Sequence, residues 1–332
     1  MFKINYRIAS FLSSCLIIGS FKACASELPN TNVFLTGNGI ATRLHSPVLK
    51  QFSNINTNFT RLPEENELSS EIKVQPTDWL FLGTPVYKHK QHLLYAIKKY
   101  KNILCEKPVG LSLEEIDQID KAINENQTLF IVNYALRFLP QIQQIKEFIN
   151  SNEIKSVKLI CNANFNKNPP NKIWKSDYTL GGGVMYSILP HLIDLLNFTI
   201  GENDLSTVTF ESSSEIPMDD IKVSSKTLNK TDISINVNLL ENFDELKLEV
   251  QTPEKTKVFD LVSSNTNIID KTKYPNGTLS ATSECSPWRI SFKYLLENIF
   301  LDPTNPNFAK IQDAKNVHKV LKVIDSKINP VK

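Results

Sequence analysis

The segment Asn102-Ile103-Leu104-Cys105-Glu106-Lys107-Pro108-Val109-Gly110-Leu111 constrains this chain more than any other. A short apolar run stops at a Glu-Lys-Pro turn. In an open α/β sheet, residues at the carboxyl end of such a strand project into the crevice where ligands bind. Pro108 fixes its own φ and biases Lys107 toward extended backbone, so the ammonium is aimed within a narrow range of directions. A lone Glu-Lys-Pro is more often a solvated surface turn. Its neighbours along the chain change that reading.

Two further apolar runs end in a comparable way. Thr31 to Thr36 leads into Gly37-Asn38-Gly39-Ile40-Ala41-Thr42 and then into a helix expected to reach about Phe52. This reads as strand, glycine turn, helix. The first glycine permits the tight turn, the second lets backbone approach a pyrophosphate, and the helix start offers its positive end. Gly37, Asn38, Gly39, Ile40 and Ala41 are therefore the expected cofactor contacts, with Thr42 where glycine or alanine is usual. The run Asp78 to Leu82 ends at Gly83-Thr84-Pro85, and Thr84 and Pro85 are expected beside the nicotinamide half. His89 and His92 lie one helical turn apart beyond it. With no third ligand nearby they read as packing or capping residues rather than a metal pair.

The strand near Ile55 to Arg61 ends about twenty residues past the glycines, where an NAD-type fold presents an acid to the ribose 2′-hydroxyl. Thr60 and Arg61 stand there instead. A guanidinium suits a 2′-phosphate, so NADP is expected in preference to NAD, although Glu64 and Glu65 follow closely.

Three strand ends carrying Gly-x-Gly, Thr-Pro and Glu-Lys-Pro in that order resemble the glucose-fructose oxidoreductase/inositol dehydrogenase (Gfo/Idh/MocA) family, from about Asn32 to the end of the chain. Asn133-Tyr134-Ala135-Leu136-Arg137-Phe138, Trp174 with Asp177, Gly181-Gly182-Gly183 and His191-Leu192-Ile193-Asp194 extend the resemblance. It implies an NAD(P)-dependent oxidoreductase that moves hydride to or from a ring carbon of a sugar, sugar nucleotide or cyclitol. It marks Lys107 and His191 as the catalytic positions, with Glu106 and Lys107 also at the cofactor.

The chemistry agrees independently. Hydride transfer at a carbinol carbon needs a group for the hydroxyl proton and a positive charge near the developing alkoxide. His191 supplies the first and Lys107 the second. Pro190 places His191 in the first turn of its helix, and Asp194 shares its face and is expected to orient the ring. Arg137, Trp174, Asp177, Ser187 and Asp194 are expected to border the substrate, with the alternative that Arg137 pairs structurally with an acid. Family members commonly carry aspartate where Ser187 stands, and serine is no carboxylate base at neutral pH. The alternative is thus a catalytically impaired nucleotide-binding protein of the same fold, acting as a sensor or partner module.

At 332 residues, 41% hydrophobic and 22% charged, the chain is long enough for two domains with a real core, and its net charge of +2 carries no basic stripe for nucleic acid. The expected fold class is α/β: a Rossmann-type parallel-sheet nucleotide domain over 30–130, then an α+β domain with a large, mostly antiparallel sheet over 131–300. A C-terminal helix within 301–332 is expected to pack back on the nucleotide domain, as is a helix near Trp288 to Phe300. Strict alternation in Ile233-Ser234-Ile235-Asn236-Val237-Asn238-Leu239 predicts a sheet with one packed and one open face. In the family resembled, such a face is often a subunit interface, which implies a homo-oligomer.

The amino terminus reads two ways. Residues 1–25 have the charged start, apolar middle and Ala23-Cys24-Ala25 ending of a Sec-type signal. Its apolar stretch is too short for a membrane span. Cleavage leaves Cys105, Cys161 and Cys285, an odd number without a disulfide framework, and a nicotinamide cofactor belongs in the cytoplasm. We lean to a cytoplasmic protein.

Overall fold

The computed structural model describes residues 30–63, 74–164, 173–214, 219–262, 283–284 and 286–328. The signal-like segment over 1–25, Glu64, Glu65 and Cys285 lie outside them.

Five strands form an all-parallel sheet: β1 (Thr31–Thr36), β2 (Ile55–Phe59), β3 (Trp79–Leu82), β4 (Asn102–Cys105) and β5 (Leu129–Val132), in the order β2-β1-β3-β4-β5. β3 is buried along its whole length and β4 nearly so, which accounts for their unbroken apolar character. The order reverses between β1 and β3, so their carboxyl ends flank the ligand crevice of a doubly wound sheet. Among the described residues no strand lies beyond β2.

The helix after the glycine turn is irregular. A π-helical turn over Ala41–His45, closed by the Ser46 N–H on the Ala41 carbonyl, runs into α1 (Ser46–Leu49). α2 (His89–Ala96) and α3 (Leu113–Asn126) follow β3 and β4. Ser112 caps α3 by accepting from the Glu115 N–H at 3.2 Å, and the Glu115 carboxylate accepts from the Leu111 N–H at 2.8 Å. The capping box thus forms with its return bond displaced by one residue.

The second domain opens with α4 (Gln141–Asn150) and β6 (Ser156–Asn164), passes through α5 (Gly183–Ser187) and α6 (Leu189–Thr199), and continues as β7 (Asn203–Glu211), β8 (Asp220–Thr227), β9 (Asp232–Asn238), β10 (Leu240–Gln251) and β11 (Thr256–Asp260). The sheet order is β11-β10-β6-β9-β8-β7, antiparallel except for the parallel pair β6–β9. The alternation in β9 sends Ile233, Ile235 and Val237 into the core.

Two helices close the chain, α7 (Pro287–Leu301) and α8 (Ile311–Ile328). Phe292, Leu295, Leu296 and Ile299 of α7 pack with Val33, Leu35, Phe81, Leu104 and Ile131, covering one face of the parallel sheet. The opposite face contributes Leu80, Leu82, Ile103 and Val132 to a core that runs on through Leu192 and Leu196 of α6 into the second sheet. α8 joins that core through Val317, Val320, Leu321 and Ile324, and its approach is anchored where the Val132 N–H donates to the Ala309 carbonyl at 2.8 Å. α7 therefore lies on the nucleotide sheet, and α8 packs between α3, α6, β5 and β7, bridging the two sheets, although the chain reaches both only after the second sheet. Among the described residues no single helix is long and apolar enough to cross a membrane.

Candidate functional site

The carboxyl ends of β1, β3, β4 and β5 converge, and close backbone packing sets their spacing. Gly37 has φ +86°, and a Cβ there would stand 2.2 Å from the Gly83 carbonyl oxygen. Only glycine meets both demands, so the turn after β1 can nest against the turn after β3. Thr36 ties the two strands further, donating to the Phe81 carbonyl at 3.3 Å and accepting from the Gly83 N–H at 3.2 Å. Asn38 is exposed, Gly39 and Ile40 are half-buried, and Ala41 is buried. These residues lead into the π-helical turn, whose first N–H groups lack partners within the helix. The turn at the β1/β3 reversal fits the pyrophosphate of a dinucleotide. At the end of β2, the Thr60 N–H donates to the Leu35 carbonyl at 2.8 Å, carrying the ladder one residue further, and Arg61 is exposed just beyond.

Thr84 and Pro85 are held from behind. His92 Nδ1 meets Thr84 Oγ1 at 3.0 Å, and the buried His89 ring spans the Thr84 carbonyl (Nε2, 2.8 Å) and the Pro108 carbonyl (Nδ1, 2.9 Å). His89 thereby locks the β3 turn to the Glu-Lys-Pro turn, and His92 braces Thr84. Burial pulls the His89 pKa below its usual value despite both carbonyls, and a neutral ring donates to only one of them at a time.

Glu106 sits at the end of β4. Its Oε1 accepts from Asn133 Nδ2 at 2.6 Å and bonds His45 Nε2 at 2.8 Å. Burial alone would raise its pKa, but His45, Lys107 and Asn133 together hold it below the ordinary carboxylate value. Lys107 donates from Nζ to the backbone carbonyl of Ser187, at the end of α5. Burial drives its pKa down to about 8, with Glu106 opposing and Lys175 adding to the fall.

The far wall comes from the second domain. His191 lies in the first turn of α6, its ring 4.8 Å from Trp288 and 6.2 Å from Tyr134, with Nδ1 buried and without a partner among the described residues. Burial, then the Lys107 charge, lowers its pKa well below the usual 6.5. Ser187 donates from Oγ to the Gly183 carbonyl at 2.6 Å, within its own helix. Trp174 lies under the Lys175 ammonium, 5.7 Å from ring centroid to Nζ, and its carbonyl packs on Gly182. Asp177 is turned to Thr179, accepting from its N–H at 2.9 Å and its hydroxyl at 2.6 Å.

Two expected substrate residues are placed elsewhere. Asp194 does not reach His191; it takes two hydrogen bonds from Arg137, at 2.8 and 2.5 Å, and Arg137 also meets Asp313 at 2.8 Å. Arg137 is 6% exposed and Asp194 1%, so both are withdrawn from the crevice into a structural ion pair. A carboxylate and a guanidinium that close in a dry core satisfy each other before any ligand arrives. The structure therefore brings together Lys107, His191, Ser187, Glu106 and the three turns, and leaves Arg137 with Asp194 apart. Sequence reasoning missed His45, Asn133 and Trp288. His45 falls among the apolar positions Ala41, Leu44 and Val48 and reads as core, while Trp288 meets His191 only through the return of α7.

Comparison with known proteins places these features in context. A family model described as an oxidoreductase family with an NAD-binding Rossmann fold (Gfo/Idh/MocA) matches residues 38–134, and that family's C-terminal domain matches residues 142–250. A 2,7-anhydro-N-acetylneuraminate hydratase of Mediterraneibacter gnavus is 26% identical over 140 residues, covering 41% of this chain and 37% of that protein. The match thus spans little more than a third of that relative's length. Among solved structures, myo-inositol 2-dehydrogenase from Lactobacillus plantarum superposes with a TM-score of 0.69 at 15% identity, covering 91% of this chain and 98% of its own. GenD2 from gentamicin A biosynthesis, in complex with NAD, gives a TM-score of 0.69 at 18% identity, covering 92% and 96%.

Proposed function

Because the chain belongs to the Gfo/Idh/MocA oxidoreductase family, we propose that it binds a nicotinamide dinucleotide across the β1/β3 crevice and moves hydride between it and a ring carbon of a sugar-type or cyclitol substrate. The observation that carries this reading is the convergence of Lys107 and His191 from two domains: Lys107 donates to the backbone of Ser187, at the end of α5, and its charge is felt at His191. The inositol and anhydro-sugar relatives support the substrate class.

In this reading Gly37, Asn38, Gly39, Ile40 and Ala41 hold the pyrophosphate, Thr84 and Pro85 border the nicotinamide, and Arg61 with Thr60 favours NADP over NAD. The cofactor, when bound, supplies or receives the hydride. His191, kept neutral by burial, takes the hydroxyl proton as a carbinol is oxidised and returns it in reduction. The Lys107 ammonium faces the oxygen on which negative charge gathers, in a site where little water screens it. Trp174 and Ser187 border the substrate. The open face of the second sheet serves as a homo-oligomer surface.

One observation favours a second reading. Ser187 Oγ is spent on the Gly183 carbonyl, so that position brings no proton-handling group to the crevice. A nucleotide-binding protein with lost catalysis would have such a site. Titration of the purified protein with NADH and NADPH by fluorescence quenching, followed by single-turnover hydride transfer with inositols, free sugars and sugar nucleotides, separates the two. Turnover with any of them supports the enzyme; tight cofactor binding without turnover supports the second reading; no cofactor binding removes both.

A further inference from the structure

Glu106 is held by two side chains on one oxygen, and neither belongs to its own loop. His45 arrives from the π-helical turn that follows the glycine turn, and Asn133 from the residue after β5. Both reach Oε1, at 2.8 and 2.6 Å. His45 is fixed in turn, stacked on Phe292 with ring centroids 4.7 Å apart and 20° between planes, and set edge-on to Phe81 at 5.9 Å. It is 1% exposed, and Asn133 3%. A π-helical turn is an uncommon local geometry that recurs at functional sites. Here it ends on His45, whose ring faces Glu106.

An ionised carboxylate accepts hydrogen bonds only, and two donors on one oxygen fix both its position and its plane. Two polar atoms of the clamp, His45 Nδ1 and Asn133 Oδ1, are buried without partners among the described residues. Buried polar atoms left unsatisfied cost stability, which marks the arrangement as one held for a reason other than stability.

We propose that His45 and Asn133 are positioning residues, fixing the Glu106 carboxylate beside Lys107 so that the lysine keeps its positive charge in the dry crevice. The inference rests on the reading of Lys107 as the group that stabilises the alkoxide. It also ties the cofactor-binding turn to the catalytic lysine, because His45 closes the same helical turn that opens at Gly39 and Ile40. The charged and titratable groups around this pair are few among the described residues. Glu106 faces His45, His89 on α2, its neighbour Cys105 and Lys107; Lys107 also feels Lys175 and His191. Lys175 and His191 offer no negative charge, so Glu106 is the counter-charge for Lys107.

The test reads Lys107 directly and needs no substrate. The pH dependence of Lys107 acylation by an amine-reactive ester, quantified by peptide mass spectrometry, gives its titration midpoint in wild type, Glu106→Gln, His45→Ala, His45→Gln and Asn133→Ala. The wild-type midpoint is expected near 8. Glu106→Gln should lower it by about one pH unit or more, the effect of losing an adjacent opposite charge. His45→Ala and Asn133→Ala should each move it part of the way, while His45→Gln, which keeps a donor, stays closer to wild type. A merely structural role would not produce this order. Midpoints in both alanine variants equal to wild type would overturn the proposal, as would a wild-type midpoint in Glu106→Gln. Thermal melts confirm that each variant is folded, and Asn133→Ala carries the test should His45→Ala not fold. NADH quenching in the same samples reports separately on the proposed function.

Discussion

Arg137 grips Asp194 through two hydrogen bonds, Nε to Oδ2 at 2.8 Å and Nη2 to Oδ1 at 2.5 Å, one helical turn beyond His191. The pair joins the segment after β5 to α6, and Asp313 at the start of α8 completes it. It therefore fixes where α6 sits, and with it His191, without touching the imidazole. Truncating one partner of a buried pair leaves the other charge uncompensated, at a cost of about 3–5 kcal/mol. Asp194→Asn, milder because it keeps shape and one acceptor, is expected to fall at or somewhat below that range in urea denaturation. Unchanged stability would show that the pair contributes nothing to the fold.

The nesting of the first two turns gives a second expectation. Gly37→Ala places a methyl 2.2 Å from the Gly83 carbonyl oxygen at a backbone φ of +86°. An L-residue there carries strain of about 1–3 kcal/mol before the clash is counted. The turns must separate, which spoils both strand ends at once. We expect a lower melting temperature together with loss of NADH quenching. A variant that melts lower yet binds NADH as wild type would show that the turn is structural only.

Burial of a histidine on α8 gives a pH signature. His318 on α8 is 5% exposed, and burial depresses its pKa to about 4, against a backbone bond at Leu111 that favours the charged form. The folded value lies below the unfolded one, so the unfolded chain binds more protons between them and stability falls as pH drops from about 6.5 toward 4. A difference of this size corresponds to roughly 3 kcal/mol at the acid end. His318→Gln is expected to flatten that part of the stability curve, read by urea midpoints at pH 7, 5.5 and 4.5. An unchanged slope would assign it to His89 and His191, whose pKa values burial lowers as well.

Much of the fold was legible because its signals are local. Apolar runs that end in turn residues located β1, β3 and β4, the cap at Ser112 located α3, and alternation located β9. What stayed hidden depends on residues distant in the chain. The parallel pairing of β6 with β9 is a matter of sheet order, which alternation does not encode. Arg137 and Asp194 each read as plausible ligand groups because charge in a sequence carries no record of its partner. His45 was invisible for the opposite reason: an aromatic ring at an apolar helical position looks like core, and it becomes a hydrogen-bond donor only once β4 brings Glu106 alongside.

Cofactor choice is carried in this reading by the end of β2. Arg61 is exposed one residue past Thr60, where the ladder with β1 stops. A guanidinium there pairs with a 2′-phosphate and gains nothing from a 2′-hydroxyl. Arg61→Ala is expected to weaken NADPH by about tenfold, the scale of one charge-assisted contact, while leaving NADH within a factor of two. Equal losses for both cofactors, or none, would remove Arg61 from the 2′-phosphate site.

The catalytic reading makes its sharpest statement about pH. The Lys107 pKa is pushed down to about 8, and the lysine acts through its charged form, so its contribution is present below that value and lost as pH rises through it. His191 acts through its neutral form, and burial holds its pKa well below 6.5, so no acid limb from this residue is expected near neutral pH. In the oxidation direction the rate of hydride transfer should therefore be flat around pH 7 and decline above about pH 8. Lys107→Met should lower the rate by about two to four powers of ten and abolish the alkaline decline, because the group responsible is gone. His191→Ala should cost a similar factor and keep the decline, with NADH affinity little changed, since the ring stands on the substrate side against Trp288. Single-turnover measurements across pH 5.5–9.5 distinguish these cases. Full activity in His191→Ala removes that residue from proton transfer; an alkaline limb that survives Lys107→Met assigns it to another group.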